Sequence, residues 1–188
     1  HRRVNFAQHL QFLVSRALPI MTVFDSYKEM LYFSRSRVHA MLDYIEQMDE
    51  PTSSILSWRP GDGRAHIGWQ IMHVAVTEEM FGTQRLADRA SDALHANIWD
   101  DFKGGSTPAD KSPEIDHIRA VLNDGRQAML QTLHSFSESD LDTFSWTHPR
   151  LDVEISLRRT LQIIAYHESH HHGQAHITLN LYKNRLQA

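Results

Sequence analysis

The sequence predicts an all-α protein, a four-helix bundle with an extra short N-terminal helix or arm. Three observations carry this. Four long segments place apolar residues at three- and four-residue steps, the period of an amphipathic helix. Connections punctuated by Pro and Gly separate them. Only one short run, Leu151 to Ile155, alternates as a strand does. Long helices joined in this way bury their apolar stripes against one another. At 188 residues the chain is expected to form a single domain, residues 1–188, with the core bundle at about 25–182.

Val4 to Leu18 has helical character and ends at Pro19, which makes it the extra arm. The first long helix is expected to start at Asp25 as N-cap. It runs through Tyr27, Leu31, Val38, Leu42 and Ile45 and stops before Pro51. His39 on it reads as a surface or boundary residue. The connection Asp49 to Gly63 carries Pro51, Pro60, Gly61 and Gly63, and its Trp58 is expected to plug the end of the bundle. The second long helix spans Arg64 to Arg89, with Asp62 as its expected cap. Between Ile67 and Phe81 it is apolar nearly all round, so it belongs in the interior. His73 lies at its centre.

Ser91 to Ser112 reads as a long loop, of a length that serves as plain connection or as a lid. Ser112-Pro113-Glu114 suits a helix start, and Ile118, Leu122, Met129, Leu133 and Phe136 mark the third helix. His117 on it shows no partner. Ser137 to Ser156 is a further connection, holding the one candidate strand. Ser156 is the expected cap of the last helix, Leu157 to Tyr182, whose inward stripe is Leu157, Leu161, Ile164, Ala175, Thr178 and Tyr182.

Composition narrows the function classes. Hydrophobic residues make up 41% and charged residues 22%, as in an ordinary globular domain. Net charge is −4 with His neutral, and no basic stripe with interleaved aromatics is present, so nucleic acid is not an expected partner. No apolar run reaches membrane-spanning length, and Leu10 to Phe24 is broken by Gln11, Arg16 and Pro19, so no membrane association is expected. There are no cysteines. That removes disulfides, thiolate ligands and a protein thiol nucleophile, and it fits a cytoplasmic location.

The last helix contains His167-Glu168-Ser169-His170-His171-His172-Gly173-Gln174. Positions four apart sit about 40° apart on a helix, so His167 and His171 point the same way, on or beside the inward stripe. Buried imidazoles need partners. The pair therefore reads either as two hydrogen-bonded core histidines or as two metal ligands, since His at i and i+4 is a spacing metal sites use. In a bundle, facing helices lend side chains to one interior site. His73 with His167 and His171 would supply three nitrogens and leave a position open, the pattern of catalytic sites. His66, two turns before His73, lies ~10 Å away along the axis and is not expected to join them.

These stretches resemble a known family. His167, His171 and Gly173-Gln174 look like the C-terminal signature of the DinB/YfiT-like superfamily, and Ala65 to Glu79 around His73 is similar to that family's second-helix motif. The order of elements agrees from about Asp25 to Tyr182. His172 stands where Arg is common, and Ala65 where an aromatic residue often opens the motif. The resemblance implies an up-down-down-up four-helix bundle. It implies a divalent metal ion, zinc or nickel, held by His73, His167 and His171. It further implies a small-molecule substrate, with activation of a low-molecular-weight thiol for S-transfer as the leading reaction, and it brings a homodimer as one assembly.

Two alternatives stand beside that reading: a metal-assisted hydrolase, and a non-catalytic metal-binding or stress-response bundle. His167-Glu168-Ser169-His170-His171 also spells the H-E-x-x-H of zinc peptidases. No glutamate follows Glu168, and Gln174 and Ile177 occupy the positions the longer metzincin pattern gives to Gly and His. Glu168 is therefore expected on the helix surface or beside a cation, with action on a metal-bound water as the alternative. Gln174 is expected to pack the helix, or else to orient a ligand or substrate.

Overall fold

The computed structural model describes residues 21–186. The expected N-terminal arm lies outside them. Four long helices dominate: α1 (Val23–Glu46), α3 (Ile67–Met80), α5 (Ile115–Leu133) and α7 (Leu157–Leu186). Short helices α2 (Thr52–Ser57), α4 (Trp99–Phe102) and α6 (Asp140–Thr143) sit in the connections. Both α1 and α3 pack on α5 and α7, which makes α1 and α3 diagonal neighbours. None of the described helices is long and apolar enough to cross a membrane.

The helix starts differ in detail from expectation, each for a local reason. Thr22, not Asp25, caps α1. Its hydroxyl accepts from the Asp25 amide at 3.0 Å, and the Asp25 carboxylate accepts from the Thr22 amide at 3.2 Å, closing a capping box. Asp62 does not cap α3. Gly63 turns the chain with φ +68°, and His66 takes the cap position instead. Ser112 does not cap α5, because its hydroxyl donates to the Pro113 carbonyl at 2.8 Å and the helix starts at Ile115. Ser156 does cap α7, accepting from the Arg159 amide at 3.2 Å. Of the alternating run only Glu154 and Ile155 become strand: they join Ser156 in β2 (Glu154–Ser156), which pairs antiparallel with β1 (Ser145–Thr147) in a hairpin, Trp146 opposite Ile155.

The core falls into two apolar clusters with a charged layer between them. One cluster holds Leu42, Ile71, Leu122 and Leu179, capped by Trp58, whose ring meets Tyr182 edge-on at 5.7 Å. The other holds Leu31, Met129, Leu133, Leu161 and Ile164. Each long helix contributes one member of that layer: Arg35, Glu78, Arg126 and Glu168. Arg35 bonds Glu78 at 2.5 Å and Glu168 at 2.6 Å, and Arg126 bonds Glu168 at 2.6 Å and Glu78 at 2.8 Å. Nη1 of Arg35 donates to the Leu122 carbonyl and Nη1 of Arg126 to the Leu31 carbonyl. Charges removed from water are costly unless paired and fully hydrogen-bonded, and this quartet is both.

The second long helix does not remain α-helical to Arg89. After Met80 it widens into a π-turn, Phe81–Arg85. Two close approaches fix α3 and its π-turn against α5. A Cβ on Gly125 would lie 2.4 Å from the Ala75 carbonyl oxygen, and one on Gly82 would lie 2.7 Å from the Met129 amide nitrogen. Only glycine lets these backbones meet.

Candidate metal centre

The seam between α3 and α7 brings three histidines together. His73 is buried at 7% exposure in the middle of α3, while His167 and His171 project from successive turns of α7. Their rings form a triangle with centroids 4.6 to 4.8 Å apart. One nitrogen from each lies within 4.8 Å of the other two, so the group could hold a metal ion. The Nε2 atoms of His73 and His167 are 3.0 Å apart. A tetrahedral zinc with bonds of ~2.0–2.1 Å sets its ligand nitrogens ~3.3–3.4 Å apart, so the spacing suits such an ion.

Neighbouring groups fix which nitrogen each ring offers. The Phe102 carbonyl lies 2.6 Å from His73 Nδ1, and a carbonyl only accepts, so Nδ1 carries the proton. His171 Nδ1 donates in the same way to the Gln70 side-chain oxygen. Both rings are left with a bare Nε2 lone pair facing the centre of the triangle. Holding the far N–H of a metal-binding His on a carbonyl is how metal sites fix tautomer and orientation. Trp69 stacks on His73 with 4.9 Å between centroids and 7° between planes, which blocks rotation of the ring.

The electrostatics favour neutral imidazoles, the form that binds metal. Burial lowers His73 below its ordinary value. His167 is pushed down to about 3, chiefly by burial and then by His73, His171 and His170. His171 is pushed down to about 4, again by burial first and by His73 and His170 next.

The residues 91–112, expected as a loop, roof the site. They contain two 3-10 turns and α4. Buried Glu79 pins this roof by accepting from the Leu94 amide at 2.8 Å, the His95 amide at 3.2 Å and the Trp99 indole at 2.8 Å. The Trp69 indole donates to the Asp101 carbonyl at 3.2 Å. Beneath the roof and beside the hairpin opens a cleft of about 850 Å³, with His73 and His167 on its wall. The triangle is thus closed by protein on one side and accessible from the other.

The other histidines have different work. His66 Nδ1 accepts from the Trp69 amide at 3.0 Å, and its Nε2 meets the Ala109 carbonyl at 3.0 Å, so it caps α3 and ties down the roof. His170 turns away to Tyr166 and Gln174, at 3.1 and 2.9 Å. Gln174 spends its amide on that contact. His172 stacks with His176 at 6.0 Å. His39 is half-buried against Arg119, a boundary residue as expected. His117 faces the ring of His95 at 6.3 Å.

Glu168 is 1% exposed, beside cations rather than on the helix surface. Arg35 and Arg126 take one carboxylate oxygen each. It does not turn to the histidines, so the resemblance to the H-E-x-x-H of peptidases ends at the letters. Sequence reasoning passed over Gln70. The signal was present: it is the one amide side chain in a helix segment otherwise apolar nearly all round, one turn before His73. The Phe102 carbonyl carries no sequence signal, because any residue would supply it.

A family profile described as the DinB superfamily matches residues 31–175. No curated protein matches the chain. Among solved structures, the crystal structure of TT2238, a four-helix bundle protein, superposes with a TM-score of 0.53 and 19% identity. The match covers 80% of this chain and 98% of that one. At that identity it speaks for the fold alone, and it agrees with the four-helix architecture described above.

Proposed function

The chain belongs to the DinB superfamily, and from that premise we propose that it is a divalent-metal enzyme, using zinc or nickel, that activates a small thiol for transfer to an electrophile. The observation that carries this reading is the convergence of three neutral imidazoles on one point beside an open cleft. Closed structural sites use four protein ligands, whereas three with a free position suit substrate entry. His73, His167 and His171 would hold the ion. Phe102 and Gln70 hold the donor nitrogens in register, and Trp69 keeps the His73 ring from turning. An ion there supplies Lewis acidity, which stabilises a thiolate at neutral pH. The chain has no cysteine, so the sulfur must arrive with a cosubstrate. The cleft is large enough for a small thiol and its acceptor.

The test is elemental analysis of tag-free protein, followed by a screen of small thiols against a chromogenic aryl halide. The reading expects one equivalent of metal, lost in His73→Ala, and thiol turnover that needs the metal. Metal without thiol turnover moves the assignment to a hydrolase or a non-catalytic binding protein. Protein that stays metal-free with excess zinc or nickel ends the metal reading altogether.

A further inference from the structure

The cleft that His73 and His167 line also carries basic side chains. Arg85, Lys103 and Arg150 line it together with a single carboxylate, Asp100. Lys103 is spent on that carboxylate at 2.6 Å. Among the described residues, Arg85 and Arg150 have no carboxylate within salt-bridge distance. Two guanidinium groups therefore face one cleft without a counter-charge.

Both are held in place by local structure. Arg85 ends the π-turn, and its guanidinium carbon lies 5.6 Å from the centre of the Trp146 ring, a cation–π distance. Trp146 is itself fixed by donating to the Thr160 hydroxyl at 2.9 Å and by its edge contact with Phe81 at 5.6 Å. Arg150 reaches from the hairpin loop to the roof, donating to the Gly104 carbonyl at 3.0 Å. That same Gly104 abuts the triangle, since a Cβ on it would lie 3.8 Å from His73 Cε1. Arg150 is thus one residue's width from the histidines. Burial first, and the like charge of Arg150 second, lower the pKa of Arg85, as a bound anion would reverse. The π-turn has a local purpose in this arrangement: such turns are rare and recur at functional sites.

We propose that the cleft selects a small molecule bearing a carboxylate or phosphate group, gripped between Arg85 and Arg150, with its reacting end toward His73 and His167. Planar guanidinium groups bind such oxyanions through paired, charge-assisted hydrogen bonds. The anion site stands on the arginines; that its ligand is the substrate rests on the metal reading above.

The experiment titrates the full chain, metal-loaded and metal-free, with inorganic phosphate and separately with succinate at constant ionic strength. Tryptophan fluorescence and calorimetry read binding, since Trp99 and Trp146 line the same cleft. The expected result is saturable binding in both forms. Arg85→Gln and Arg150→Gln should each weaken it at least tenfold. Arg85→Lys keeps the charge and should stay within about fivefold of the parent, and Arg159→Gln, an exposed charge off the cleft, within about twofold. The tighter of the two anions identifies the headgroup. Absent saturation at millimolar anion, or unchanged affinity in both Gln variants with native circular dichroism, overturns the proposal. Elemental analysis of the same samples separates the two readings. Anion binding without metal uptake removes the metal enzyme and leaves the anion site, whereas metal uptake without anion binding does the reverse.

Discussion

Gln70 offers the sharpest test of how the histidine triangle is held. Its side-chain oxygen accepts the proton on His171 Nδ1, which leaves Nε2 bare and aimed at the other two rings. Replacing Gln70 with Leu keeps the volume and removes the acceptor. The His171 ring can then flip, or take the other tautomer and point a proton at the centre. Losing such an outer partner costs about 10- to 100-fold in metal affinity. That corresponds to ~1.4–2.7 kcal/mol. A second effect acts on the metal-free fold. The Nδ1–H loses its acceptor in a half-buried place, which costs ~1–2 kcal/mol. Zinc affinity is measured by competition with a chromophoric chelator, and stability by urea unfolding of metal-free protein. Gln70→Glu restores an acceptor and should hold zinc within about threefold of the parent, or tighter, because a carboxylate raises ligand basicity. Parent-like affinity in Gln70→Leu, with the fold intact, refutes the assigned tautomer and with it the reason His171 belongs in the triangle.

Three further outcomes follow from the same geometry. In the metal-free protein, burial and the neighbouring histidines push His167 from 6.5 to about 3. Above pH ~6.5 both states carry it neutral and it contributes nothing; below that the unfolded chain takes up a proton the folded chain refuses. Stability should therefore fall as pH falls, with ~1.4 kcal/mol per unit through that window as the share of His167, and His167→Gln should reduce the slope of the urea-midpoint profile by that share while His171 keeps its own; an unchanged slope counts against it. Arg126→Met leaves Glu78 and Glu168, each 1% exposed, short of one cation. The cost is ~3–5 kcal/mol, read as a fall of about 10 °C or more in Tm; a neutral result would show the quartet to be dispensable. Gly125→Ala adds a Cβ 2.4 Å from the Ala75 carbonyl oxygen. Forcing α3 and α5 apart costs ~1–3 kcal/mol, against ~1 kcal/mol of improved helix propensity, so urea unfolding should show no gain; a clear rise in stability would mean the helices slide at no cost.

The four long helices were legible because each buries a continuous stripe, and a stripe repeats every turn whatever surrounds it. His73, His167 and His171 were legible for a related reason: all three stand on inward faces of two such helices, so the bundle had only to bring the faces together. The helix starts were less legible. Thr22 and Asp25 are both good cap residues, and only the backbone decides which one leads and which closes the box. His66 as a cap breaks the usual residue preference, because its ring can accept from Trp69 only once the Ala109 carbonyl has fixed its other nitrogen. The roof over the site was invisible, since Glu79 reaches 15 and 16 residues ahead to pin it, and no periodic pattern encodes a contact of that kind. The π-turn was hidden too. A helix that widens by one residue keeps the same letters and changes only where Gln84 and Arg85 point.

The division of labour along α7 explains why two readings of the same letters were available. A helix turns about 100° per residue, so Glu168 faces a different seam from His167. His167 and His171 look toward α3 and the cleft, while Glu168 looks toward α1 and α5, where Arg35 and Arg126 wait. In a peptidase the glutamate must reach a water on the metal. Here both of its oxygens are taken by guanidinium groups in the buried interior. Freeing it would break two charge-assisted bonds and leave Arg35 and Arg126 to share Glu78 alone, a cost of ~3–5 kcal/mol that matches the whole return of a general base. The quartet also ties α7 to α1 and α5, and through their arginines to Glu78 of α3, and that helps fix where His167 and His171 stand. The charged layer is thus the support of the triangle and not a member of it. Accordingly, Glu168→Gln should lower stability strongly yet leave metal stoichiometry unchanged wherever the protein remains folded; loss of metal from a folded Glu168→Gln protein would return the carboxylate to the site.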